Sequence, residues 1–197
     1  METTPTRKQQ THDRIRDTAA RVLRDGGFDG VGVADIMKKA GLTHGGFYAH
    51  FPSREALLAE ALARAGEDSE LRLDQAIAAG TARGASAFES LVDNYLSPRH
   101  LHEPSAGCPV AALASEMPRQ PEAVRAAAAA SVQALVARVQ SCLPDQDAGT
   151  AGVIASQLAG ALQLARTLGD NARGRKHLAA SRRFLLEQFE TGRPGRR

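Results

Sequence analysis

Aromatic side chains supply only 4% of this 197-residue chain, and tryptophan is absent. Aliphatic side chains and alanine must therefore fill most of the interior. No stretch of six residues alternates polar and apolar with β-branched side chains, so no sheet is expected. No apolar run approaches the roughly 18 residues that a membrane span requires. The leading METTPTRKQQ has no apolar core and does not read as a secretory signal. Cys108 and Cys142 lie far apart with no CxxC, which points to neither a disulfide framework nor a zinc site. A reduced, cytoplasmic setting is the expectation. HExxH, GxSxG and phosphate-loop motifs are all missing, so nothing marks an enzyme or a cofactor site. His100 and His102 lie between Pro98 and Pro104 without further ligands nearby, and no metal is expected. The formal charge is +3, much weaker than that of a protein binding through overall charge, so any anionic partner has to meet a local patch.

What the chain has instead is alanine, often in runs such as Ala126–Ala130, within a hydrophobic content of 43%. Alanine favours helix, and the pattern predicts an all-α fold of about nine helices. The first ten residues read as a polar arm, followed by a helix over Gln10–Arg24 with Ile15, Ala19, Val22 and Leu23 inward and Gly26–Gly27 ending it. Pro52–Ser53 restarts the chain, Ser53 caps, and a long amphipathic helix runs to about Ala79. Ala85–Leu96 follows. The prolines make Ser97–Pro104 a loop. Gly107–Met117 is helical with Pro109 in its first turn. Pro121–Cys142, with Val132 among its inward positions, Thr150–Leu168 and Arg173–Thr191 complete the set. Arg193, Arg196 and Arg197 form a basic tail over 192–197.

The most informative stretch is Val33–Leu58, VADIMKKAGLTHGGFYAHFPSREALL. Val33, Ile36, Met37 and Ala40 recur at helical spacing over about two turns. Gly41 supplies the left-handed residue that ends this helix, and Thr43 offers a hydroxyl to cap the next. That second helix, His44–His50, is too short to bury much. Phe47 and Phe51 anchor it, while His44, Gly45, Tyr48 and His50 face outward. A short anchored helix exposing small, cationic and phenolic side chains suits a DNA major groove. The pattern is a helix-turn-helix.

The segment resembles the DNA-binding domain of TetR/AcrR-type transcriptional regulators. The matching residues are Phe28-Asp29-Gly30, Asp35-Ile36, Ala40-Gly41-Leu42-Thr43, Gly45, Phe47-Tyr48, His50-Phe51 and Ser53. This resemblance implies a helix-turn-helix domain over residues 8–68, with its motif at about 31–50, and a C-terminal effector-binding and dimerisation bundle over 69–191. It further implies a homodimeric repressor that leaves a palindromic double-stranded operator when a small-molecule effector binds. The expected DNA contacts are Thr43, His44, Gly45, Gly46, Tyr48, His50 and Arg54. Gly45 and Gly46 cost helix stability, which close approach of the backbone to DNA would explain. Arg54, at a helix N-terminus, is unfavourable to the dipole, so a phosphate contact is expected in place of a local structural role.

The last two expected helices carry apolar stripes: Val153, Leu158, Leu162 and Ala165 on one, Leu178, Leu185 and Phe189 on the other, with Phe184 beside them. Packing within the subunit explains these plainly. The family resemblance implies a dimer seam, formed by Leu158, Leu162, Leu178, Leu185 and Phe189. Cys108 is an effector or redox candidate: the start of a helix lowers a thiol's pKa, and the preceding loop brings His100 and His102 within possible reach. Against that stands the usual burial of cysteine as a small inert hydrophobe.

Overall fold

The computed structural model describes residues 5–30, 32–143 and 145–190. Val31, Thr191 and the expected basic tail at 192–197 lie outside the described residues. Among those described, every regular element is a helix. Contacts divide the chain into two compact units, Met1–Asp68 with Ser105–Ser131, and Ser69–Pro104 with Val132–Arg197.

The first unit opens with α1 (Arg7–Gly26), which starts before the expected Gln10 because the Thr6 hydroxyl caps it, accepting from the Gln9 amide at 3.2 Å. The arm is correspondingly short. Helix α2 (Val33–Lys39) follows, then a 3-10 turn over His44–Ala49, then α3 (Arg54–Thr81). Ser53 caps α3 as expected, accepting from the Ala56 amide at 3.1 Å. Ile15 and Leu23 of α1, Ile36 and Met37 of α2, Phe47, Phe51, and Leu57, Leu58 and Leu62 of α3 form one buried core. Complete burial of each such side chain contributes about 1.5–3 kcal/mol. A distant segment joins this core. Helix α6 (Pro109–Leu113), a 3-10 turn at Met117–Arg119 and the start of α7 (Glu122–Cys142) bring in Leu113, Met117, Val124 and Ala128.

The second unit contains α4 (Ala87–Tyr95), α5 (Pro98–His102), α8 (Ala148–Leu168) and α9 (Ala172–Phe189). Helix α5 corrects the expected loop. Pro98 occupies the first turn, where its missing N–H costs nothing, and Ser97 caps by accepting from the His100 amide at 3.1 Å. Val132 of α7, expected inward, is 41% exposed.

Helices α8 and α9 pack on each other, and α4 packs on α9. Leu158, Leu162, Leu178 and Leu185 are each 2% exposed or less within this one chain. Their expected place on a dimer seam is thereby corrected, because the side chains are already consumed by subunit packing. Phe189 is half-buried and meets Phe88 edge-on, with ring centroids 6.3 Å apart. Val153, also expected inward, is exposed, and Ile154 takes the buried position instead. On this pair of helices the large apolar side chains left outside are Val153, Leu164 and Leu168 of α8 and Phe184 of α9.

Candidate nucleic-acid interface

Helix α2 closes in a Schellman turn. Gly41, at φ +71°, donates to the Lys38 carbonyl at 3.0 Å, and Leu42 reaches back to the Met37 carbonyl at 2.9 Å. Leu42 then packs on the core, which fixes how the chain leaves α2 and enters the next turn. That turn differs from the expected α-helix. It is a six-residue 3-10 helix, and the Thr43 hydroxyl makes no cap bond. With a repeat of three, side chains three apart eclipse, so Gly45 aligns with Tyr48, and His50 ends the turn as its C-cap.

The correction falls hardest on His50, whose ring is half-buried instead of outward-facing. Its Nδ1 is buried with no hydrogen-bond partner. Burial holds its pKa below the ordinary value, helped by nearby His12 and Lys8, so the ring is a neutral partner at pH 7. Tyr48 does face outward, at 74% exposure. Thr43, His44 and Gly45 are exposed beside it. A Cβ on Gly45 would meet nothing within 4 Å, and one on Gly46 would only touch the Met37 methyl at 3.8 Å. The fold itself therefore does not require glycine at either position, in keeping with a partner that approaches from outside.

His12 was missing from the sequence reading. It stacks on Phe51 with ring centroids 4.3 Å apart, and its Nε2 lies 2.7 Å from a Glu60 carboxylate oxygen. Its spacing from Ile15 and Ala19 put it on the buried stripe of α1, and that was the available signal. Arg54 also departs from expectation. Its guanidinium donates to the Phe28 carbonyl, a local structural role that the dipole argument had set aside.

Two family models match this chain. One describes the bacterial regulatory proteins of the tetR family and covers residues 15–61. The other, a tetracyclin repressor-like C-terminal domain, covers residues 84–180. The chain belongs to the TetR family. It is a DNA-binding transcriptional regulator and not an enzyme.

Relatives of this TetR-family regulator include an HTH-type transcriptional regulator of Mycobacterium tuberculosis. The two are 28% identical over 174 residues, spanning 82% of this chain and 87% of the relative. Among solved structures, the reduced form of Escherichia coli NemR superposes with a TM-score of 0.74 at 20% identity, covering 90% of this chain and 96% of that one. A TetR-family regulator from Agrobacterium tumefaciens gives 0.73 at 22% identity, covering 92% and 98%. These likenesses are of fold.

Cys108 is 4% exposed, next to a helix of only five residues. The His100 ring bonds the Tyr95 carbonyl through Nδ1 at 2.8 Å, and the Nδ1 of His102 meets Asp170 at 3.0 Å. Burial pushes the Cys142 thiol up. Among the described residues no helix is long and apolar enough to cross a membrane, and no cluster of metal-ligating side chains forms.

Proposed function

We propose that this TetR-family regulator is a homodimeric repressor that binds a palindromic operator and leaves it when a small molecule occupies its C-terminal domain, residues 69–191. One observation carries the reading. The Thr43–Ala49 turn presents an exposed Tyr48 beside open space over Gly45. Thr43, His44 and Tyr48 offer hydrogen bonds to phosphate, and Gly45 and Gly46 let the backbone come close to the groove. His50 joins them as a weaker, neutral contact. All lie in the domain over residues 8–68.

One short turn reads only a few base pairs. Two copies related by a two-fold axis read half-sites about 34–36 Å apart. The second copy would sit on the α8 stripe of Val153, Leu164 and Leu168, with Phe184 of α9 beside it, since these exposed apolar side chains lie together on the α8–α9 pair. Release requires the effector to bind a conformation that holds DNA poorly better than it binds the DNA-competent one; a few kcal/mol of coupling is typical. A reversible ligand fits better than an electrophile captured by Cys108, because a 4% exposed thiol meets a reagent only after local opening.

The test is fluorescence anisotropy on duplexes that the full chain enriches from a random-sequence pool, titrated with salt. Enriched inverted repeats and a steep fall of affinity with salt are expected. Enrichment of unpaired half-sites alone would defeat the dimeric reading.

A further inference from the structure

The corner between α1 and α2 is built around one peptide. Gly27 ends α1 at φ +73°, and a Cβ there would lie 2.7 and 2.9 Å from the two carboxylate oxygens of Glu116. A Cβ on Gly30 would meet the Gly26 carbonyl oxygen at 2.2 Å. Between these glycines, Phe28 buries its ring completely. Its N–H donates to the Glu116 carboxylate at 2.9 Å, and its carbonyl accepts from the Arg54 guanidinium. Arg54 is the first residue of α3. A single residue therefore holds the chain just before α2 and just after the reading turn, closing the helix-turn-helix into a loop.

Glu116 reaches this peptide from outside the motif, and its own backbone is firmly set. Its N–H donates to the Leu113 carbonyl at 2.9 Å, and its carbonyl accepts from the Arg119 amide at 3.1 Å. Leu113 and Met117 on either side are buried in the core of the first unit. A second tie bounds α6 at its other end. The buried Arg24 donates to the Gly107 carbonyl at 3.2 Å and to the Ala65 carbonyl at 3.3 Å, and pairs with Asp68 at 3.4 Å. Both ends of α6 are thus bound by charged groups to the C-terminal end of α1 or the corner after it.

We propose that Glu116 is a positioning residue for DNA recognition: its carboxylate fixes the Gly27–Phe28 corner and, through the Phe28 peptide, Arg54 and both flanks of the reading turn. A displacement of the α6 segment then has, beside the shared core and the Arg24 tie, a direct polar route to the DNA-binding surface. The proposal rests on the DNA-binding assignment and is independent of what the effector is. A hydrogen bond to a charged acceptor is stronger than a neutral one, so its loss raises the share of molecules with a displaced corner. Apparent affinity falls in proportion to the fraction of molecules whose corner stays in place, so a tenfold loss means that the displaced corner predominates.

The experiment uses the full chain and the duplex that the wild type enriches most from a random-sequence pool. Anisotropy gives the dissociation constant of the active fraction at 25 °C, thermal unfolding gives the midpoint, and 15N–1H spectra follow the Phe28 amide and the Arg54 side-chain N–H. Glu116→Ala is expected to weaken binding about tenfold, the loss of one charge-assisted hydrogen bond, with both resonances shifted. Glu116→Gln, whose side-chain carbonyl still accepts from Phe28, recovers most of the affinity. Wild-type affinity in Glu116→Ala overturns the proposal. So does a lowered midpoint with unchanged affinity per active molecule, which is the mark of a purely structural role. Should the alanine variant fail to fold, Glu116→Asp, with its carboxylate drawn back by one methylene, must show the same weakening; wild-type affinity there is equally fatal. A pool from which the wild type enriches nothing removes the DNA assignment itself, and the proposal with it.

Discussion

A charge placed at Leu164 separates a subunit seam from a subunit core. Leu164 is 58% exposed in the single chain, Val153 65%, Leu168 44% and Phe184 50%. Roughly half of each side chain thus remains to be covered, worth about 1 kcal/mol apiece on a scale of about 1.5–3 kcal/mol for complete burial. Four such side chains on each of two copies supply roughly 8 kcal/mol toward association. In the proposed dimer, Leu164→Glu removes about 1 kcal/mol from each copy and buries a carboxylate from each copy in the seam; the combined loss is several kcal/mol, about a hundredfold or more in the dimer constant. Sedimentation velocity at micromolar concentration should show monomers, with a thermal midpoint that no longer rises with protein concentration, since the position is exposed within the subunit. The contrast is Leu185→Ala. That side chain is fully buried, so the subunit should lose about 2–5 kcal/mol of stability. A Leu164→Glu protein that stays dimeric with wild-type DNA affinity would refute the assignment of this stripe. An unchanged midpoint in Leu185→Ala would refute the description of the core.

Three further outcomes are expected. Tyr48→Phe removes an exposed phenolic donor and should weaken binding to the enriched and scrambled duplexes alike, with little change in their ratio; anisotropy on both duplexes checks this, and unchanged affinity removes Tyr48 from the interface. His50 is a base whose pKa is depressed by folding, so the unfolded chain binds its proton more readily. Its contribution to stability is present above its ordinary value of 6.5 and is lost as pH falls through that value toward the folded one. Urea unfolding between pH 7 and 5 should accordingly show a shallower acid loss in His50→Gln than in the wild type, and identical slopes would count against the buried ring. Gly27→Ala must force a Cβ into the left-handed region and into the Glu116 carboxylate, so a loss of more than about 1 kcal/mol should appear as a lowered thermal midpoint.

Much of the first unit was legible from local rules. Gly41 announced its Schellman turn, Ser53 its cap, and Phe47 and Phe51 their burial, because each depends on neighbours a few residues away. The misreadings came where a short segment had two options or a partner was distant. Six residues with two glycines and no cap settled into a 3-10 turn, and His50, the residue that ends it, lies beside His12 of α1. Prolines at 98 and 104 signalled a break, but Pro98 equally fits a first helical turn once Ser97 caps it. Apolar stripes on α8 and α9 do not state whether they face a neighbour helix or another copy, and the burial of Leu185 beside the exposure of Phe184 shows how one position decides it. Glu116 carried no local signal at all, since its partner lies 88 residues away.

The core of the first unit is discontinuous along the chain, and this limits modularity. Ile15, Phe47 and Leu62 share their interior with Leu113, Met117 and Val124. A fragment cut at Asp68, or those residues grafted onto a foreign bundle, would leave one wall of that interior to water and the Phe28 amide without its carboxylate. The reading head can therefore be exchanged between proteins only together with its Ser105–Ser131 segment. During synthesis, too, the head is completed late, after the whole of α4 and α5 has emerged.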